Sequence, residues 1–259
     1  MHYTLQLLYS GSEGNAALLT MGEHAVLIDA GRSARTLCQA LQAQGVDPDN
    51  LLAIFLTHEH RDHTAALDVF LKHHPVPVHV AGRSAEKLSR LGSDALCAAL
   101  VTHPPLFSEQ IGPFTFRSFV TPHDSDESVG YRITLTDDDG THEIGYATDL
   151  GSITSAVEEG LLGCEAVVLE CNHDPDMLMT GPYPYVLKRR IASRNGHLSN
   201  TDCAAFCVRL AERGMKRLLL AHLSETNNLP ELALGEVNAA LSGLDVCVRA
   251  ADPVHTTLL

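Results

Sequence analysis

The chain has 259 residues, of which 45% are hydrophobic and 19% are charged, and its formal net charge is −14. This length and composition predict a globular protein with a substantial core and exclude an intrinsically disordered chain. No apolar run reaches the roughly 18 residues that a membrane span needs. The acidic balance argues against a protein that adheres to DNA or RNA through general positive charge.

Strand and helix patterns alternate along the chain. The predicted strands lie at 4–9, 16–21, 24–29, 51–56, 76–80, 166–170 and 217–221, with three more strand-like runs between 114 and 148. The predicted helices lie at 33–44, 64–73, 84–91, 201–213 and 230–241. Two β-rich regions, each with its own helices, predict a single α/β domain over 1–259, in which two sheets pack face to face with helices outside.

The first residues have the pattern of a strand and lack the features of a secretion signal. The seven cysteines are odd in number and show no CxxC spacing, which favours buried thiols over a disulfide framework. We therefore expect a cytoplasmic protein that does not associate with a membrane.

A dense group of metal-binding residue types follows the apolar strand at 51–56. His58 and His60 are two residues apart, so on an extended segment they point the same way and can hold one metal. Asp62 and His63 fall at the turn into the next helix, where they can reach a second metal. Imidazole and carboxylate donors suit Zn²⁺ or Mn²⁺. The alternative is a polar loop that is merely rich in histidine.

With this motif directly after an apolar strand, the chain resembles the metallo-β-lactamase superfamily. Further segments that resemble it lie at 27–31, 121–124, 147–151 and 220–224. A narrower likeness, to the YycJ/WalJ-like subgroup, rests on 10–15, 169–174, 196–200 and 222–228. The resemblance implies a four-layer αββα sandwich of two mixed β-sheets with helices on the outer faces. For the subgroup it implies 5′-exonuclease activity on DNA.

The resemblance also implies a complete set of ligands for two divalent metal ions, Zn or Mn. That set is His58, His60 and His123 at one metal, Asp62, His63 and His222 at the other, and a bridging Asp149. Two divalent cations outweigh the charges of two carboxylates and a bridging hydroxide, so the pocket would suit an anionic phosphodiester. Such a metal pair activates water and stabilises the leaving oxygen, and Asp62 is expected to serve in catalysis as well as in metal binding.

Four residues outside the ligand set are candidates for supporting roles. His197 is similar to the non-ligand histidine of ribonuclease Z-type enzymes, which implies a general acid for the leaving oxygen; alternatively its segment only caps the next helix. Asp29, at a strand end, is expected to orient a ligand histidine. His173 and Asn200 are candidate substrate contacts, and a polar turn is the alternative for His173.

A glycine-flanked loop follows the first strand and carries Ser10, Ser12 and Asn15. Such loops offer hydroxyl and N–H groups to a phosphate, so these residues are candidate substrate contacts, with a simple hairpin turn as the alternative. At Glu13 the loop departs from the serine that is usual in the subgroup.

Two other groups of residues have less specific interpretations. A local basic cluster is formed by Lys188, Arg189, Arg190 and Arg194, and it is either a nucleic-acid platform or a solvated helix face. Several histidines have no partner at ligand spacing and are predicted to be ordinary surface or core residues: His2, His24, His79, His103, His142 and His255.

Three classes of function compete. The first is a metal-dependent phosphodiesterase or nuclease, with a 5′-exonuclease acting on DNA as its leading form and DNA preferred to RNA as the partner; a small phosphodiester is the alternative substrate. The second is a hydrolase of a thioester, a lactone or a β-lactam. The third is a protein that uses this fold for binding without catalysis, and the complete ligand set argues against it.

Overall fold

The computed structural model describes residues 2–259. The strands are β1 Tyr3–Tyr9, β2 Ala16–Met21, β3 His24–Ile28, β4 Leu51–Phe55, β5 Val78–Ala81, β6 Leu100–His103, β7 Ser108–Ile111, β8 Phe114–Val120, β9 Val129–Asp137, β10 Gly140–Ala147, β11 Ala166–Glu170, β12 Arg217–Ala221, β13 Cys247–Ala250 and β14 Thr257–Leu258. The α-helices are α1 Ala34–Ala43, α2 Arg61–Thr64, α3 Leu67–His73, α4 Gly82–Leu91, α5 Asp94–Ala99, α6 Ser155–Leu161, α7 Pro175–Thr180, α8 Tyr185–Ile191, α9 Asn200–Glu212 and α10 Pro230–Ala240. A 3₁₀ turn at Pro48–Asn50 precedes β4.

The strands form two mixed seven-stranded sheets. The N-terminal sheet has the order β14-β1-β2-β3-β4-β5-β6, and the C-terminal sheet has the order β13-β12-β11-β10-β9-β8-β7. In each sheet one side is antiparallel and the other is parallel, with the change of direction at β3 and at β10. The short C-terminal strand β14 pairs with β1, so the end of the chain completes the first sheet.

Apolar residues are buried in three layers. The inter-sheet core lies between the two inner sheet faces and includes Phe55, Phe116 and Tyr131. One outer layer packs α1, α3 and α4 on the N-terminal sheet, around residues such as Leu37 and Phe70. The other outer layer packs α6, α9 and α10 on the C-terminal sheet. Because alternate residues of each strand face opposite layers, this is an αββα sandwich, and the predicted fold class is confirmed.

The structure corrects several predicted elements. The helix predicted at 64–73 is two helices, because the Ala66 amide donates to the Ala30 carbonyl (3.0 Å) instead of to its own helix. The strands β6, β7, β13 and β14 were not predicted, since they are two to four residues long and largely exposed. The cysteines are free thiols as predicted, but Cys97 and Cys247 are exposed rather than buried. None of the helices within residues 2–259 has the length and apolar character to cross a membrane.

Candidate metal centre

The loop after β4 carries the dense histidine motif into the space at the sheet edge. His58 and His63 are buried, and Asp62 and His63 lie in the first turn of α2. The rings of His58 and His60 lie 4.5 Å apart, and those of His58 and His63 lie 4.2 Å apart. This one loop therefore brings four donor side chains together.

Glu59, between the two histidines, turns to the opposite side of the loop. Its buried carboxylate accepts hydrogen bonds from Ser84 (2.5 Å) on α4, from Lys87 Nζ (2.9 Å) and from the Asp126 amide (3.0 Å). Burial raises the pKa of Glu59, but these hydrogen bonds outweigh it and lower the pKa to about 2. Glu59 thus ties the motif loop to α4 and to the loop after β8.

The C-terminal sheet contributes single residues from separate strand ends. His123 follows β8, Asp149 follows β10 and His222 follows β12. Asp149 and His222 both have φ of 55°, and Asp29 after β3 has φ of 63°. A left-handed backbone at a residue other than glycine costs of order 1–3 kcal/mol and persists where its surroundings hold it. These sharp turns aim each side chain into one shared space.

The donor atoms fall into two adjacent groups, each within 4.8 Å. The groups are His58, His60 and His123, and Asp62, His63, Asp149 and His222. A further group overlaps the second one and joins Asp149 and His222 to Glu170 and His197. Within residues 2–259, three of the buried donor atoms make no hydrogen bond: His58 Nε2, His222 Nε2 and Asp149 Oδ2. Buried polar atoms are normally satisfied, so unpartnered nitrogen and oxygen atoms facing one another fit a pair of divalent cations.

Asp29 fixes the orientation of His63. Its carboxylate accepts hydrogen bonds from the amide and the hydroxyl of Thr57 and lies 2.8 Å from His63 Nδ1. His63 Nε2 then points at Asp149 Oδ2 (3.2 Å) and Asp62 Oδ2 (3.3 Å). The contact agrees with the orienting role expected of Asp29, and a carboxylate behind a ring is a common support of metal-binding histidines.

Glu170 likewise fixes the orientation of histidine rings on the C-terminal sheet. The sequence analysis assigned it no role. This fully buried residue ends β11, and its carboxylate lies 2.7 Å from His197 Nδ1 and 2.9 Å from His222 Nδ1. It also accepts a hydrogen bond from the Leu150 amide (2.9 Å). The signal in the sequence is an acidic residue at the end of a wholly apolar strand, in a segment that already resembles the subgroup.

Burial and close charges shift the pKa values of the cluster in opposite directions. Burial, together with the nearby His63, lowers the pKa of His58 well below its usual range. Burial also lowers that of His63, but the Asp29, Asp149 and Asp62 carboxylates outweigh it and raise the pKa well above normal. Burial raises the pKa of Asp149, but the charges of His222 and His63 outweigh it and hold this pKa well below normal. In the second donor group, the carboxylates therefore stabilise positive charge.

A pocket of about 360 Å³ opens over the cluster. Its walls include Ser12, His60, His123, Asp124, Tyr183 and Arg190. His197 also faces this pocket, its side chain 21% exposed. Burial lowers the pKa of His197, but Glu170 outweighs it and raises the pKa above its ordinary value. His197 also lies in the loop that caps α9, in which Ser199 Oγ accepts a hydrogen bond from the Asp202 amide (3.1 Å).

Of the five predicted substrate contacts, Ser12 lies on the pocket wall. The other four are buried and do not line the pocket. Ser10 Oγ accepts from the His222 backbone amide (2.9 Å), and Asn15 Nδ2 lies 3.1 Å from His63 Nε2, so Ser10 holds the backbone of one predicted ligand and Asn15 contacts the ring of another. Asn200 is bonded to Asn228 below the start of α9, and His173 is 3% exposed. The loop after β1 folds inward against the ligands, which a sequence cannot reveal.

Comparison with known proteins agrees with this geometry. The family model described as the beta-lactamase superfamily domain matches residues 24–223. The chain belongs to that superfamily. It is 29% identical to the exodeoxyribonuclease YycJ of Bacillus anthracis over 257 residues, which cover 99% of this chain and 95% of that protein.

Another relative is the exodeoxyribonuclease WalJ of Streptococcus pneumoniae, 29% identical over 259 residues that cover 98% of this chain and 94% of that protein. In its fold the chain is similar to the metallo-β-lactamase fold protein YhfI of Bacillus subtilis, with a TM-score of 0.73 and 20% identity, covering 99% of this chain and all of that one. The chain is thus a YycJ/WalJ-like hydrolase of the metallo-β-lactamase fold, as its sequence predicted.

Proposed function

We propose that the chain, acting as one domain over 1–259 in the cytoplasm, is a phosphodiesterase with a binuclear metal centre and works as a 5′-exonuclease on DNA. The observation that carries the proposal is His197. It is a histidine outside the predicted ligand set, fixed at Nδ1 by Glu170 and facing the pocket beside the ligands. The names of the YycJ and WalJ relatives support DNA as the substrate.

Two divalent ions, Zn²⁺ or Mn²⁺, would be held by the residues of the two donor groups. One ion would take His58, His60 and His123, and the other Asp62, His63 and His222, with Asp149 shared. When bound, such a pair supplies an activated water and neutralises charge on the phosphoryl oxygens. Asp29 and Glu170 keep the ligand rings turned toward this space through the hydrogen bonds at their Nδ1 atoms.

His197 serves as the proton donor to the leaving oxygen. Its Nδ1 is occupied by the Glu170 carboxylate, so the proton available to substrate is the one on Nε2. The leaving group of DNA cleavage is a sugar alkoxide, which is strongly basic and departs slowly without a proton. A histidine placed beside the reacting group is suited to this task because it exchanges protons near neutral pH.

The helix α8 forms the wall of the pocket on which a nucleic acid would lie. Arg190 lines the pocket, and Lys188 and Arg189 are on the same basic helix. Tyr185 is 65% exposed and lies under the Arg189 guanidinium, 6.0 Å from the ring centroid. Cations for phosphates beside an exposed aromatic ring for stacking are the usual elements of single-strand binding. The helix α8 thus provides a local basic surface on a chain whose overall charge is −14.

The test uses purified protein loaded with Mn²⁺ or Zn²⁺ and four substrates: 5′-labelled DNA, the same sequence as RNA, a bis-aryl phosphate and a thioester. We expect stepwise release of nucleotides from the 5′ end of DNA, slower cleavage of RNA and turnover of the aryl phosphate. Thioester turnover with no phosphodiester cleavage would establish the acyl-hydrolase class instead.

The Arg189→Gln variant tests whether α8 binds DNA. It should weaken DNA binding by about twofold to tenfold and reduce its salt dependence, since one phosphate contact is removed. Turnover of the small aryl phosphate should not change. Arg209→Gln, on α9, is the matched control. Equal effects of the two changes on DNA binding would refute the proposed contact of DNA with α8.

A further inference from the structure

Another cluster of metal-binding side chains lies away from the pocket, where the two sheets meet at the edge formed by β6 and β7. His79 on β5, His103 at the end of β6 and Glu109 on β7 each offer a donor atom, and these atoms lie within 4.8 Å of one another. The sequence analysis predicted His79 and His103 to be ordinary residues because neither has a partner at ligand spacing. The fold brings His79 next to His103, which lies 24 positions further along the chain.

Strand register directs all three side chains to the interior between the sheets. The parallel pairing of β5 with β6 puts His79 and His103 on the same face of the N-terminal sheet. The His79 ring stacks on Phe55 of the inter-sheet core, with centroids 4.6 Å apart. Glu109 pairs directly with Phe116, another residue of that core, so it faces the same interior from the C-terminal sheet. The two imidazoles and the carboxylate therefore lie together at the edge of the apolar inter-sheet core.

The spacing of the two rings is close to that of zinc ligands. His79 Nδ1 lies 2.9 Å from His103 Nε2. Two nitrogens bound to one tetrahedral Zn²⁺ at about 2.0–2.1 Å lie about 3.3 Å apart, so the rings need to separate by only about 0.4 Å. Aromatic stacking holds both rings in place, since His103 stacks on Phe107 with centroids 4.1 Å apart. The donors are therefore largely pre-organised.

The protonation state also suits a metal. Burial lowers the pKa of His79 to about 4, and burial likewise lowers that of His103. Both imidazoles are neutral at neutral pH, which is the form that binds metal ions. Glu109 provides one negative charge facing them. His103 and Glu109 are half-buried and His79 is buried, so an ion can reach the cluster from solvent past His103 and Glu109.

We propose that His79, His103 and Glu109 bind one Zn²⁺ that links the edge of the N-terminal sheet to the edge of the C-terminal sheet. Two imidazoles and one carboxylate are a donor set that Zn²⁺ favours. The site shares no residue with the candidate metal centre. Its role is structural: the ion fastens β5 and β6 to β7 across a boundary where, within residues 2–259, no strand of one sheet pairs with a strand of the other. Because the unfolded chain lacks the site, zinc bound here stabilises the fold.

The first experiment counts metal in the full chain after loading with Zn²⁺ and removal of loose ions. The Glu109→Gln and His103→Gln variants should each hold one zinc ion fewer than the parent chain, with turnover unchanged. Zinc affinity at this site should fall by about tenfold or more, since loss of even a hydrogen-bond partner of a ligand costs about that much. His73→Gln, an exposed histidine on α3, is the matched control and should bind as the parent does. Equal zinc content in the parent and both variants would overturn the proposal.

A second measurement reduces the contribution of the candidate metal centre to the readout. In an Asp149→Asn background, which weakens metal binding at that centre, added Zn²⁺ should raise the temperature of thermal unfolding, and a further His103→Gln change should make that rise smaller. An equal rise with and without His103→Gln rejects the site. This outcome is independent of whether the chain cleaves DNA.

Discussion

The two sheets contribute to the candidate metal centre in different ways. The N-terminal sheet provides four donor side chains from one loop, between His58 and His63, directly after β4. The C-terminal sheet provides His123, Asp149 and His222 from three separate strand ends. The first contribution is a local pattern, and the second exists only because β8, β10 and β12 end at the same edge.

Each contribution has its own supporting carboxylate, and the supports differ in reach. Asp29 contacts one ligand ring, that of His63. Glu170 contacts His222 and also His197, so it joins a ligand of the proposed centre to the proposed proton donor. In the proposed function, the C-terminal support therefore couples metal binding to proton donation, a link that Asp29 does not make on the N-terminal side.

The largest effect is expected from Asp149→Asn, which removes the shared carboxylate charge. Asparagine tolerates the positive φ of this position, so the fold should survive. Phosphodiester turnover should fall by at least about a thousandfold, about 4 kcal/mol in activation free energy, and bound metal should drop below two per chain at the centre. Kinetics and elemental analysis measure both. Asp126→Asn, a loop carboxylate facing Lys87, is the control, and full metal content in Asp149→Asn would disprove the bridge.

His197→Gln tests whether the C-terminal contribution includes a proton donor. On DNA, kcat should fall by about a hundredfold to a thousandfold while KM and metal content stay unchanged. On a bis-aryl phosphate the loss should be much smaller, because an aryloxide leaves without a proton. A loss of metal would make His197 a ligand, and equal losses on the two substrates would remove its role as an acid.

Asp29→Asn and Glu170→Gln compare the two supports directly. Each should weaken metal binding by about tenfold to a hundredfold, since each frees a ligand ring. At saturating metal Asp29→Asn should recover near-normal turnover, whereas Glu170→Gln should remain impaired because His197 is no longer fixed. Titration of activity with metal separates the two results. Full recovery of both variants would show that the supports are equivalent.

The smallest effect concerns Glu59, which anchors the N-terminal loop. Its pKa is lowered from 4.5 to about 2, so it contributes stability above pH 4.5 that is lost as the pH falls toward 2. Glu59→Gln should lower the free energy of unfolding at pH 7 by about 1–3 kcal/mol, because buried donors lose a charged partner. The difference from the parent should shrink at pH 3. Denaturant unfolding in a chelator measures it, with the exposed Glu86→Gln as control.

The sequence determined the family and the sandwich, and it singled out residues whose donor atoms the structure brings together. Contiguous ligands after a buried strand are visible because local order preserves their spacing, and the YycJ/WalJ-like segments extend the pattern along the chain. Long apolar strands such as β11 and β12 are visible for the same reason. Short exposed strands such as β6 and β7 are not, because pairing with neighbours rather than residue pattern makes them strands.

Only the tertiary structure decided which polar side chains meet. Glu170 is one acidic residue among 32 in the sequence, and its position between His197 and His222 depends on the ends of β11 and β12 lying side by side and on the loop before α9 packing against them. Ser10 and Asn15 were predicted to contact substrate, yet the loop after β1 packs them against ligand side chains. His79, His103 and Glu109 meet because two sheet edges converge. Contacts of this kind are set by packing between distant segments, and no spacing along the chain encodes them.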